Sequence, residues 1–141
     1  MTGFLLDTNL LSEFSRTGKP DEHVDRWLKS APDESLFVSV LTLGEIRRGI
    51  ELLPSGKRRT QLELWQHDLV STFESRLFPV TLAIADRWAV VSAQSQRKAI
   101  ALNNIDGLIA ATALEHDLTL ATRNVKDFAG IDVRLFNPWD V

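Results

Sequence analysis

Two hydrophobic periods take turns along this chain. Short apolar runs at Phe4-Leu5-Leu6, Leu36-Phe37-Val38-Ser39-Val40, Leu77-Phe78-Pro79-Val80, Leu118-Thr119-Leu120-Ala121-Thr122 and Val133-Arg134-Leu135-Phe136 read as strands. Between them, apolar residues recur at helical spacing: Leu10, Leu11 and Phe14; Val24, Trp27 and Leu28; Leu43, Ile46, Ile50 and Leu53. The stretch Lys57 to Glu74 carries Leu62, Trp65 and Leu69, and Leu82 to Ala101 carries Ile84, Trp88 and Val91. A further helix opens at Asp106, with Ile105, Leu108, Ile109 and Ala113 expected to face inward. Gly18-Lys19-Pro20 and Pro54-Ser55-Gly56 break helices, and Pro32-Asp33-Glu34 makes a loop. Strands that alternate with helices predict an α/β fold, a mainly parallel central sheet flanked by helices on both faces. With no internal repeat and no dividing linker, residues 1–141 are expected to form one domain.

In parallel sheets of this kind, ligands bind beyond the carboxyl ends of the strands, and acidic residues gather there. Asp7 directly follows the first strand, with Thr8 and Asn9 behind it. Glu45 lies near the start of the helix after the second strand, on the flank of its apolar stripe, and Gly49 leaves space one turn later. Asp106 begins a helix among apolar neighbours, and Asn124 and Asp127 follow the fourth strand. Each has a plainer reading: a helix cap for Asp7 and Asp106, a charge favourable to a helix N-terminus for Glu45, a turn for Asp127. Taken together they predict converging carboxylates, each of three helices carrying its acid in the first turn. Unaccompanied carboxylates in one pocket repel one another, which raises their pKa values. A magnesium ion resolves that conflict, because it takes a few hard oxygen ligands plus waters and a substrate phosphate.

Other chemistries find less support. The chain has no cysteine, so disulfides, thiolate nucleophiles and cysteine-based zinc sites are excluded, which fits the cytoplasm. His23, His67 and His116 lack the spacing of a zinc site or an acid–base pair. Ser39 and Ser92 have no nucleophile motif around them, and no phosphate-binding glycine loop appears. The opening, Met1-Thr2-Gly3-Phe4-Leu5-Leu6-Asp7, meets a carboxylate after three apolar residues and predicts neither a signal peptide nor a membrane span. At a formal net charge of −3 the molecule as a whole does not attract nucleic acid, so any such binding falls to local patches. Arg47-Arg48, Lys57-Arg58-Arg59 and Arg97-Lys98 are the candidates, each with a solvated helix face as the alternative.

The residues that gather at the strand ends also resemble a known family. Phe4-Leu5-Leu6-Asp7-Thr8-Asn9 resembles the opening of PIN domains, and Ser39-Val40-Leu41-Thr42-Leu43-Gly44-Glu45 their second acidic motif. Asp106-Gly107-Leu108-Ile109-Ala110-Ala111-Thr112-Ala113 is similar to the third. Leu120-Ala121-Thr122-Arg123-Asn124-Val125-Lys126-Asp127-Phe128 is similar to the fourth, and Asn137-Pro138-Trp139 to the tail of one subgroup. The subgroup it looks like is that of the VapC toxins, including the FitB-like branch. The resemblance implies a PIN-like three-layer sandwich and a magnesium- or manganese-supported endoribonuclease. It implies that Asp7 and Asp106 bind metal and that Glu45 completes the site; beside them, Thr8 and Asn9 offer groups that can bond metal waters or a phosphate. It also implies an RNA substrate, a small VapB-like antitoxin as partner and a homodimer. One position departs from the pattern: Asn124 stands where the family often has Asp, so either Asn124 or Asp127 fills the fourth place. Two rivals remain, an aspartate-nucleophile phosphatase or phosphoacceptor built on Asp7, and a catalytically silent nucleic-acid-binding module.

Overall fold

The computed structural model describes residues 3–15 and 19–141. Met1 and Thr2 of the opening, and Gly18 of the expected Gly18-Lys19-Pro20 break, lie outside the described residues. The elements run β1 (Phe4–Leu6), α1 (Thr8–Ser12), α2 (Glu22–Ser30), β2 (Leu36–Ser39), α3 (Val40–Glu51), α4 (Lys57–Thr72), β3 (Leu77–Phe78), α5 (Leu82–Arg97), α6 (Asn104–Glu115), β4 (Thr119–Ala121) and β5 (Leu135–Phe136). The strands form one sheet in the order β3-β2-β1-β4-β5, with every pair parallel. β1 is central: Phe4 is in register with Leu36 on one side and Thr119 on the other, and Leu6 with Ala121.

Side chains alternate across the sheet, and both faces are buried, which is why the strands read as continuous apolar runs. Leu6, Leu36, Val38 and Ala121 join one core with Leu10 and Leu11 of α1, Val24 of α2, and Ile46 and Ile50 of α3. Leu62, Trp65 and Leu69 of α4 pack against that core. Leu5 and Leu120 face the other way, onto Ile109, Ala110 and Ala113 of α6. The alanines let α6 lie close to the sheet, and α5 covers α6 in turn. At that crossing Gly107 meets Trp88 so closely that an added Cβ would stand 2.9 Å from the indole Cδ1. Fully buried leucines and isoleucines such as Leu5, Leu6, Leu10, Ile84, Ile109 and Leu120 each contribute about 1.5–3 kcal/mol relative to exposure.

Several expected boundaries move, each for a local reason. β2 ends at Ser39, and Val40 begins α3, because the Ser39 hydroxyl accepts from the Leu41 amide and caps the helix. β3 stops at Phe78, since Pro79 has no amide to continue the ladder. β4 and β5 are shorter than expected, at Thr119–Ala121 and Leu135–Phe136. α4 ends at Thr72 and α5 at Arg97, the latter followed by Ala99 in the left-handed region (φ 57°). α6 opens two residues before Asp106, and Ile105, expected to face inward, is 41% exposed while Leu108 is half-buried.

The chain runs outward from β1 through β2 to β3, crosses back to β4 on the far side of β1, and continues outward to β5. The connections that leave β1 and β4 therefore depart in opposite directions. Such a switch point opens a crevice beyond the carboxyl ends of the two strands. Among the described residues no helix is long and apolar enough to cross a membrane.

Candidate functional site

Asp7 is the first residue past β1. Its amide continues the ladder by donating to the Ala121 carbonyl at 3.0 Å, so the backbone here is fixed by the sheet. Its Oδ1 accepts from the Thr8 amide at 2.8 Å and caps α1. Its Oδ2 accepts the Thr122 hydroxyl at 2.7 Å. Thr122, the first residue past β4, is fully buried, and its Oγ1 also accepts from the Asn124 amide at 3.1 Å. The switch-point crevice is thus bridged by one hydroxyl–carboxylate bond, and Asp7 is only 7% exposed.

Glu45 stands on α3 among Thr42, Ile46 and Ile50, all buried, with its own side chain on the flank of that stripe. It is the sixth residue of the helix and lies in the second turn, not the first as the sequence suggests. The Thr8 hydroxyl donates to its Oε1 at 2.7 Å. Gly49, one turn on, borders open space. Burial raises the Glu45 pKa above its ordinary value of 4.5; the Thr8 hydrogen bond opposes this, and the charges of Asp7 and Asp106 add to it.

Asp106 is the third residue of α6, which is capped by Asn103. The two residues bond reciprocally: Asn103 Oδ1 accepts from the Asp106 amide at 2.8 Å, and Asn103 Nδ2 donates to Asp106 Oδ2 at 2.8 Å. Burial raises the Asp106 pKa as well, against the Asn103 bond and with help from the charges of Asp7 and Asp127. Three acids from β1, α3 and α6 therefore lie within one another's fields, as their placement in the sequence predicts.

Asp127 sits on a short 3-10 turn, Val125–Phe128, pinned by the buried Phe128. Its side chain is exposed, and its charge reaches Asp106. Asn124 precedes that turn, is exposed, and makes no side-chain cap there. Asn9 Oδ1 is buried without a hydrogen-bond partner among the described residues. Beside the acids opens a cleft of about 560 Å³, lined by Thr8, Glu45, Arg48, Asn103, Asn104 and Ile105.

The donor set fits a hard divalent cation. In it, burial and then the charges of neighbouring acids raise the pKa values of Glu45 and Asp106, and a cation relieves that repulsion. Among the described residues no three acids or histidines stand close enough to form a complete cation cage. Magnesium needs none, since it is held by one or two carboxylates and keeps several waters. Both Asp7 oxygens accept hydrogen bonds, which holds the carboxylate in a fixed orientation and leaves it poorly placed as a nucleophile. His116 stacks on Phe78 and His23 bonds the Val141 carbonyl, so neither joins the acids.

Sequence reasoning missed Thr122 and Asn103 as members of this region, and named Arg48 only as half of a basic patch. The apolar run places Thr122 at the end of the fourth strand, which gives no sign of its hydroxyl's partner. The Asn103-x-x-Asp106 spacing was a readable capping signal that an early helix start would have revealed. Of the basic patches, Arg47 pairs with Glu51, Arg58 bonds the Ser15 carbonyl, and Arg59 pairs with Glu51 and Glu63, whereas Arg48 lines the cleft.

The sequence profile of the PIN domain matches residues 4–133. Toxin FitB of Neisseria gonorrhoeae is 38% identical over 136 residues, covering 96% of this chain and 97% of that protein. VapC ribonuclease Y4jK of Sinorhizobium fredii is 32% identical over 137 residues, covering 96% and 97%. The crystal structure of FitAcB from Neisseria gonorrhoeae superposes with a TM-score of 0.89 at 37% identity, covering 98% of this chain and 99% of that one.

Proposed function

The chain belongs to the PIN-domain family, and from that membership we propose that it is an endoribonuclease and the toxin of a toxin–antitoxin pair. The observation that carries this reading is the meeting of Asp7, Glu45 and Asp106 at the switch point, each of the last two with a pKa raised partly by its acidic neighbours. A toxin and a ribonuclease of the VapC type, both similar over nearly the whole chain, support it.

The reaction is hydrolysis of an RNA phosphodiester. Asp7 and Asp106 are the carboxylates that would hold magnesium, or manganese in its place. When bound, the ion supplies charge neutralisation and makes water more acidic. Thr122 and Thr8 hold Asp7 and Glu45 in their orientations through 2.7 Å bonds. Glu45, with one oxygen engaged by Thr8, orients the attacking water with the other and takes its proton. Its raised pKa makes it a stronger base than an ordinary glutamate. Asn103 steers Asp106, and Asp127 or Asn124 completes the acidic rim. The whole of residues 1–141 acts as one PIN domain, forms a homodimer in the cytoplasm, and is inhibited by a small VapB-like antitoxin that covers the site.

The test is cleavage of single-stranded RNA with magnesium, with and without EDTA. Cleavage that needs the ion and disappears in Asp7→Asn supports the assignment. No cleavage of any RNA, together with release of phosphate from a small phosphomonoester, would favour the aspartate-nucleophile alternative; neither activity would leave a silent binding module.

A further inference from the structure

The cleft beside the acids has a wall chemistry of its own. Arg48 lies three residues beyond Glu45 on α3, so both side chains leave the same helix face. Its neighbour Arg47 is paired with Glu51, and Arg59 with Glu51 and Glu63. Arg48 is exposed and makes no hydrogen bond or ion pair among the described residues, not even with Glu45. A guanidinium held free at the edge of a cleft that Glu45 lines and the other acids adjoin is a ready partner for an anion, and its planar fork matches the two non-bridging oxygens of a phosphate. The same cleft is lined by Ile105, 41% exposed at the start of α6 in spite of its apolar side chain.

Charge makes the same demand. Asp7, Glu45, Asp106 and Asp127 put four carboxylates around one crevice in a chain of net charge −3. A divalent cation offsets that field at the scissile phosphate, but the next phosphate along a strand would still approach an anionic wall. Arg48 is the arginine or lysine that lines the cleft. We infer that this cleft holds the nucleotide adjoining the scissile phosphate, with Arg48 gripping that nucleotide's own phosphate and Ile105 lying against its sugar and base. The inference rests on the ribonuclease reading and adds to it a specific subsite. Contact with a phosphate and an apolar face carries no base code, so this subsite grips strands of any sequence.

The experiment compares wild type, Arg48→Ala, Arg48→Lys and, as a neighbouring control, Arg47→Ala. Steady-state cleavage of a single-stranded RNA oligonucleotide in magnesium gives kcat and KM. Fluorescence anisotropy of the same RNA in EDTA gives binding without cleavage, at several salt concentrations. For Arg48→Ala, KM and Kd rise about tenfold, the loss expected for one charged hydrogen-bonded contact, while kcat stays near wild type. The slope of log affinity against log salt flattens by about 0.7, the share of one phosphate on a single strand. Arg48→Lys recovers part of the affinity, and Arg47→Ala matches wild type. Unchanged KM, Kd and salt slope in Arg48→Ala would overturn the inference, as would a fall in kcat alone. Wild-type protein that cleaves no RNA in magnesium would sink the ribonuclease reading instead, and the anisotropy titration would still judge Arg48.

Discussion

The Thr122 hydroxyl donates to Asp7 Oδ2 at 2.7 Å, across 115 residues of sequence and inside the fully packed junction of β1 and β4. This bond fixes an acid at the switch point of the sheet. Thr122→Val keeps the shape and removes the donor, leaving a buried carboxylate oxygen unsatisfied. Denaturant unfolding should show a loss of about 1–3 kcal/mol, and Thr122→Ser should restore most of it. Equal stability of the valine and serine variants would deny the bond any role.

Asp7→Asn and Asp106→Asn preserve side-chain shape while removing a negative charge from the proposed metal site. Each should abolish RNA cleavage and leave a cooperative thermal transition intact. The rise in melting temperature on adding magnesium to wild type should shrink in both, because less cation binds the native state. An undiminished rise in Asp7→Asn would place the ion elsewhere.

Burial and acidic neighbours raise the folded-state pKa of Glu45 and Asp106 above their ordinary values of 4.5 and 3.8. The stability tied to their protonation is fully present below those ordinary values. It is lost as pH rises through the higher folded-state values. Without metal, Glu45→Gln should therefore melt a few degrees higher than wild type at pH 7, and the advantage should vanish below the ordinary glutamate pKa. Melting curves in EDTA from pH 3 to pH 8 check both limbs. A glutamine variant that gains nothing at neutral pH would show that the ionised acid carries no cost. The same titration predicts that magnesium affinity begins to weaken at a higher pH than ordinary carboxylates would allow.

Asp127 adds to the field at Asp106, whereas Asn124 contributes only an exposed amide before the 3-10 turn. Asp127→Ala should thus slow cleavage more than Asn124→Ala at saturating magnesium, with a stability change within about 1 kcal/mol for each. Wild-type cleavage in Asp127→Ala would hand the fourth position to Asn124 or leave it vacant.

Gly107 adjoins Asp106 and lies against Trp88, with 2.9 Å and 3.0 Å between an added Cβ and two indole atoms. Gly107→Ala should cost about 1–3 kcal/mol through overpacking, more than the gain of up to about 1 kcal/mol in helix propensity. Cleavage should fall with it, because α6 must shift and carry Asp106 along. A more stable and fully active alanine variant would show that the indole yields freely.

The placement of acids at strand ends was legible because strands buried on both faces announce themselves as apolar runs, and the first polar residue beyond each run marks its end. Asp7 follows directly from that rule. Glu45 was legible as an acid on the flank of a stripe, though its turn was misplaced because α3, capped by Ser39, starts at Val40, which the apolar run assigns to the strand. The contribution of Thr122 could not be read, since a threonine that ends a strand looks the same whether its hydroxyl meets a carboxylate or a carbonyl. Asn103 was hidden by its exposed setting, where an asparagine is unremarked until the helix start is known. Ile105 misled because hydrophobicity, taken alone, places an isoleucine inside; its site on the first turn of α6 turns it to the cleft.

β1 can be completed on one side by β2 early in the chain, but its other neighbour, β4, is the second-to-last strand in sequence. A growing polypeptide that has emerged only through α5 has Asp7 and Glu45 but neither Asp106 nor the Thr122 hydroxyl. Asp106 arrives only with α6 and the Thr122 hydroxyl only after β4, so a nascent chain that stops before α6 lacks both. The strand order thus separates the two halves of the acidic crevice in time: the β1 side is made first, and the β4 side that holds Asp7 in place comes after α6.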